Sequence, residues 1–102
     1  MITRIWHGWT TPANAPAYEE LLRTRILPGI QGRGIPGYRG AKLLRRNDGQ
    51  EVEFITILQF DSLEAVRAFT GPDYETAVVP PEARKLLARF DAKSCHYETV
   101  LS

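Results

Sequence analysis

The sequence predicts an α+β fold of the ferredoxin-like kind: β-α-β-β-α-β, a four-stranded antiparallel sheet with its helices on one face. Three observations predict it. Hydrophobic spacing switches between strand-like and helical periods in that order along the chain. Asn47-Asp48-Gly49 joins the two middle strands as a hairpin, with a glycine able to take positive φ. The stretch 52–60, VEFITILQF, is apolar on both sides, with Val52, Phe54, Leu58 and Phe60 on one and Ile55 and Ile57 on the other. Right-handed crossovers put both helical connections over the same side. A second copy of the chain is then expected to cover the other side, making a homodimer with sheets face to face.

Each element has its own signal. Ile2 to Thr10, rich in β-branched and aromatic residues, reads as the first strand, with Ile5, His7 and Trp9 on one side and Arg4, Trp6 and Gly8 on the other. Asn14 is placed to cap a helix with Pro16 in its first turn. Tyr18, Leu21, Leu22, Arg25 and Ile26 recur at helical spacing, and Pro28-Gly29 is expected to end that helix. The loop 28–37 contains a G-x-G-x-x-G at Gly32, Gly34 and Gly37. Its place between a helix and a strand, with Pro36 inside, is wrong for a dinucleotide site.

Tyr38 to Arg46 reads as a strand whose Lys42, Arg45 and Arg46 suit an edge. After the third strand, Asp61 or Ser62 caps a helix with Leu63, Val66 and Phe69 inward, stopped at Gly71-Pro72. A short helical turn is expected over 74–78. Pro80-Pro81 then opens a helix with the stripe Ala83, Leu86, Leu87 and Phe90, and Asp91 to Val100 is read as the last strand.

Length and composition bound the rest. One domain, 1–102, is expected from 102 residues, of which 43% are hydrophobic and 25% charged. Net charge is +1 with the basic residues dispersed, which argues against a nucleic-acid partner. No apolar run approaches the roughly 20 residues that span a bilayer, and the N-terminus lacks a signal-peptide layout, so a cytoplasmic protein without a membrane partner is expected. Cys95 is the only cysteine, which excludes an intrachain disulfide and is read as a small buried or half-buried hydrophobe.

The run PGYRGAKLLRRNDGQEVEFITILQFDSLEAVRAFTGPDY, with its Pro-Gly-Tyr, charged hairpin, Phe-Asp-Ser-Leu-Glu-Ala and Gly-Pro-Asp-Tyr, resembles the antibiotic-biosynthesis-monooxygenase-like proteins of the dimeric α/β-barrel group. The resemblance implies a homodimer with a pocket between sheet and helices in each subunit. Members of that group include oxygenases that act on fused-ring aromatic substrates with no metal or flavin, haem-degrading enzymes, and proteins without a known role. The haem-degrading branch uses an asparagine on the first strand, a tryptophan on the second helix and a histidine after it. This chain has Trp6, His7 and Gly8 on the strand, Phe69 at the comparable helix position, and no histidine in YETAVVPPEAR, so that activity does not carry over.

The candidate chemistry rests on few residues. His7 and His96 lie on the first and last strands, and if Ile2 pairs near Leu101 they face each other as a base and acid pair. Two histidines without a third ligand make a poor metal site, and no cofactor is expected. Trp6, Trp9, Tyr18, Phe69 and Tyr74 are candidates for an aromatic pocket that stacks a planar ligand. Arg25, on the stripe of the first helix, either snorkels outward or holds an anionic group. Two functions remain open: a small-molecule-binding barrel, with a cofactor-independent monooxygenase on an aromatic or polyketide-like compound as its catalytic form, or a non-catalytic dimer with a packed cavity.

Overall fold

In the computed structural model, which describes residues 1–102, β1 (Ile2–Thr10) lies at the centre of one antiparallel sheet. On one side it pairs with β3 (Val52–Phe60), and β3 pairs with the edge strand β2 (Tyr38–Asn47). On its other side it pairs with β4 (Leu87–Phe90) and β5 (Cys95–Glu98). The ferredoxin-like order β2-β3-β1-β4 is thus as expected, except that the last edge strand is broken in two. No helix is long and apolar enough to cross a membrane.

The hairpin between β2 and β3 is held by its turn residues. Gly49 takes φ +96°, while the Asp48 carboxylate accepts from the amides of Gln50 and Glu51. Gly37, just before β2, has φ +86°, and a Cβ there would stand 2.7 Å from the Ala65 Cβ. Only glycine suits that place.

The first helix runs further than its proline suggests. It is built from α1 (Ala15–Leu21), a π-helical turn (Leu22–Ile26) and α2 (Leu27–Gly32), all with right-handed backbone at their junctions. In a regular α-helix the Pro28 ring would strike a carbonyl one turn back and leave it unbonded. Here the Leu27 amide bonds to Leu22 O, five residues back, and the Thr24 hydroxyl takes up Glu20 O at 2.7 Å. The wider turn admits the proline, and the helix ends at Gly32 rather than at Pro28-Gly29. Residues 28–32 of the segment read as a glycine loop are therefore helical, and only 33–37 follow the helix.

α3 (Leu63–Thr70) starts where expected, with the Ser62 hydroxyl accepting from the Ala65 amide, and stops at Gly71 with φ +92°. Residues 71–80 form no helical turn; one isolated bridge joins Thr76 to Lys93. α4 (Pro81–Leu86) is shorter than its stripe implied, because Leu87 and Phe90 belong to β4. Asp91 to Ser94 is consequently a break, and β5 is only part of the predicted strand.

Helices cover one face of the sheet. Val52 and Phe54 pack with Ala15, Tyr18, Leu21, Leu22 and Ala83; Leu58 and Phe60 pack with Ala65, Val66 and Phe69. Register puts Ile2, Arg4, Trp6, Gly8 and Thr10 on that covered face. Thr10 Oγ1 is buried there without a partner, a local cost of about 1–3 kcal/mol for which the fold offers no visible return. The other face presents Ile5, His7 and Trp9 from β1, Ile55 and Ile57 from β3, and Leu44 from β2. Cys95 and Tyr97 extend it, both exposed, so Cys95 is not the buried hydrophobe its residue type suggests.

Candidate functional site

A cleft opens between the covered face and the helices. Arg4 and Trp6 from β1, with Thr56 and Leu58 from β3, form its floor; Tyr18, Leu22, Ile26, Leu27 and Ile30 form the wall of the first helix. Phe69, Ala83, Ser94 and residues 78–80 close the far side. Its cavity volume is about 60 Å³, within about 530 Å³ of unfilled space when the open mouth is counted.

The π-helical turn decides which helix residues reach this space. Uninterrupted 3.6-residue spacing from Tyr18 and Leu22 would bring Arg25 onto the same stripe. The extra residue in the turn rotates the stripe, and Ile26 with Leu27 take that place. Arg25 lies outside the cleft, its side chain 66% exposed and 3.6 Å from Glu82. Of the two readings of Arg25, snorkelling outward matches this placement, and Arg25 is not among the residues that line the cleft.

Trp6 owes its place to a glycine. A Cβ at Gly8 would stand 2.9 Å from Leu87 Cδ2 and 3.2 Å from the indole. With that room the Trp6 ring lies beside Phe90, centroids 5.8 Å apart, and its Nε1–H donates to Asp91 O at 2.6 Å. Tyr18, 1% exposed, sets its ring edge against Phe54 at 4.9 Å. Burial raises the Tyr18 phenol well above its ordinary value, so it stays protonated and can donate.

Arg4 is the residue that sequence reasoning passed over. It is 3% exposed, and its Nη1 donates to Tyr74 O at 2.6 Å and to His96 Nε2 at 2.9 Å. Nη2 lies 3.4 Å from Thr76 O, and the guanidinium carbon sits 5.6 Å from the centre of the Phe69 ring. Burial lowers the Arg4 pKa from its ordinary value to about 10, which leaves it charged at neutral pH. The available signal was a lone arginine on a strand side otherwise occupied by Ile2, Trp6 and Gly8.

The two histidines do not meet. Ile2 pairs with Glu98 rather than near Leu101, a slip of three residues, and an odd slip sends the side chains to opposite faces. His96 lies opposite Arg4 on the cleft side, with the Tyr74 ring against it at 5.1 Å. His7 lies on the open face, its Nδ1 2.8 Å from Glu53 Oε2 and its ring stacked on Trp9 at 5.9 Å. Trp9 is therefore also outside the cleft, with Arg89 3.9 Å from its ring. Of the predicted residues, Trp6, Tyr18 and Phe69 line the cleft, while Tyr74 and His96 stand behind Arg4.

Because His96 Nε2 accepts from Arg4, its proton must sit on Nδ1. Burial first, then the charge of Arg4, hold the imidazole below its ordinary 6.5. The unfolded chain thus takes up a proton at His96 where the folded chain does not. The associated stability is intact above about pH 6.5 and is lost as pH falls toward the folded-state value. Asp48, Asp61 and Asp73 are held below their ordinary 3.8, chiefly by hydrogen bonds, so their losses come only on further acidification. The thermal midpoint is expected to drop between about pH 7 and about pH 5, with a smaller drop in His96→Gln. Parallel curves for the two proteins would contradict this.

No family model matches the sequence, and no curated protein matches it. Solved structures do. The haem degrader MhuD of Mycobacterium tuberculosis, with two haems bound in its active site, is 24% identical, with a TM-score of 0.65 over all of this chain and 98% of its own. Rv0793 of Mycobacterium tuberculosis is 19% identical, with a TM-score of 0.63 over 99% of this chain and 96% of its own. A candidate antibiotic biosynthesis monooxygenase from Bacillus cereus is 12% identical, with a TM-score of 0.69 over 100% of this chain and 94% of its own. At these identities the shared property is the fold. That is the fold the Pro-Gly-Tyr and Phe-Asp-Ser-Leu-Glu-Ala stretches resembled.

Proposed function

We propose that this protein binds a small planar molecule in the cleft, as a homodimer, and that its catalytic form is a cofactor-independent monooxygenase acting on an aromatic or polyketide-like compound. The cleft carries the reading: eleven of its fifteen lining residues are hydrophobic. The enclosed cavity of about 60 Å³ is smaller than the roughly 300–1,000 Å³ of most small-molecule sites, so a ligand would occupy the open mouth as well as the cavity. The enclosed 60 Å³ limits what can be swallowed whole, so a compact fused-ring ligand with one edge in the mouth is the better match.

In such an oxygenation the substrate supplies the electrons. An acidic phenol or enol loses its proton, a carbon of the resulting anion bonds to dioxygen, and the hydroperoxide collapses to a carbonyl with release of water. The protein contributes a dry apolar slot, a base and a donor to the developing charge. His96 is the histidine on the cleft side and the candidate base through Nε2, whose lone pair takes the substrate proton, giving an imidazolium, once Arg4 turns its Nη1–H from His96 to the incoming anion. The imidazolium then returns that proton to the peroxide; Tyr18 is the candidate donor. His7 belongs to the proposed dimer surface.

Titration with 2-naphthamide and 2-naphthoate, followed by the two indole N–H resonances in NMR, tests the binding. Saturable movement of the Trp6 signal by either probe, with Trp9 unmoved, is expected. Failure of both probes to shift Trp6 up to the solubility limit would remove the proposal.

A further inference from the structure

We propose that the cleft selects anions: Arg4 is the anchor for a single carboxylate or ionised phenol or enol on a planar ligand. This deepens the cleft reading and rests on it.

The argument begins with what Arg4 lacks. Six ion pairs form in the chain, among Arg23, Arg25, Arg39, Arg45, Arg89 and His7 with acidic partners, and Arg4 is in none of them. Those paired arginines are all substantially exposed, where a partner matters little. Arg4 alone is withdrawn from water, at 3% exposure, and has no carboxylate. A buried cation without a counter-charge is costly, and proteins that keep one usually keep it for something that arrives.

Its surroundings hold it in place without neutralising it. Tyr74 O, Thr76 O and His96 Nε2 accept from three of its N–H groups, the contact to Thr76 being long at 3.4 Å. These are dipoles and a neutral imidazole. A guanidinium carries five N–H donors, so two remain without an acceptor in the protein. Arg4 lines the cleft, with its guanidinium carbon 5.6 Å from the centre of the Phe69 ring. An oxygen anion entering from the mouth would meet these spare donors in a charge-assisted hydrogen bond, the kind that is shorter and roughly twice as strong as a neutral one.

The rest of the cleft agrees with a molecule charged at one end only. Beyond Arg4 the walls are Trp6, Leu22, Leu27, Leu58 and Phe69, with no second cation. Polyanions therefore gain nothing over monoanions. For a phenol or enol the same charge would favour the ionised form, so the anchor and the acidity of the substrate act together.

Calorimetry with 2-naphthoate and 2-naphthamide, which share shape and differ in charge, tests this. The wild-type chain is expected to bind the carboxylate at least about tenfold more tightly, in line with one charge-assisted bond. The His96 ring resonances should move with naphthoate and not with naphthamide, while those of His7 stay still. Arg4→Met should bring the two affinities together, and Arg4→Lys should keep part of the difference. Equal affinities in the wild-type chain would overturn the anion anchor and leave the cleft reading standing; binding of neither probe would overturn both. Should Arg4→Met not fold, the wild-type ratio and the His96 shift decide alone. A preference of tenfold that survives in a folded Arg4→Met would also overturn it.

Discussion

If the chain forms the proposed homodimer, Ile57→Lys is expected to leave it a folded monomer. Ile57 lies between Ile5 and Lys42 across the helix-free face, with Ile55 and Leu44 one pair further along. No element of the chain covers that face. At one end of it lie polar pairs, His7 with Glu53 at 2.8 Å and Arg89 with Glu51 at 2.9 Å, so the apolar centre is bordered by charge on that side. Exposed apolar patches of this kind mark association surfaces, and a polar rim around a dry centre is the usual anatomy of one. A lysine in the middle would be buried unpaired in the dimer, at about 3–5 kcal/mol, which is over 100-fold in dissociation constant. In a monomer it would simply face water. Sedimentation at micromolar concentration should find the wild-type chain as a dimer and the variant as a monomer with an unchanged far-ultraviolet spectrum. A wild-type chain that sediments as a monomer would remove the dimer from the proposal.

Phe60→Ala should cause the largest loss of stability of any single core truncation on β3. Phe60 is 0% exposed, with Tyr38 at 5.6 Å and Phe69 at 5.9 Å between ring centroids. It joins β2, β3 and α3 into one cluster with Leu58, Ala65 and Val66. Removing a buried phenyl loses its transfer free energy and leaves a cavity, about 3–5 kcal/mol together. Against a total of about 5–15 kcal/mol for a domain, that brings the chain close to unfolding. Urea titration at fixed protomer concentration should show the midpoint falling with little change in slope. A loss below about 1 kcal/mol would mean that the β3–α3 contact is not a core at all.

Phe60 also illustrates what could be read in advance. Its alternation with Leu58, Phe54 and Val52 placed it inward, and it is inward. The hairpin at Asp48-Gly49, the Ser62 cap and the stop at Gly71 were equally legible, because each depends on neighbours within four residues. The helix through Pro28 was not legible, since a proline's meaning depends on whether an upstream turn widens to receive it. The same turn left Arg25 outside the cleft and brought Leu27 in beside Ile26. Nor could Leu87 and Phe90 be assigned, as a short apolar run fits a helix stripe or a strand until pairing with Gly8 and Thr10 selects the strand.

The amino-acid order by itself determined the ferredoxin-like layout and the two apolar sides of its sheet, because periodicity and turn chemistry are local properties that each segment carries with it. Register was decided only in three dimensions. Whether Ile2 meets Leu101 or Glu98 depends on where Asp91 to Ser94 breaks the edge strand, and that one odd shift sent His7 and His96 to opposite faces. It also set His96 beside Arg4, a pairing across 92 residues that no local rule could supply.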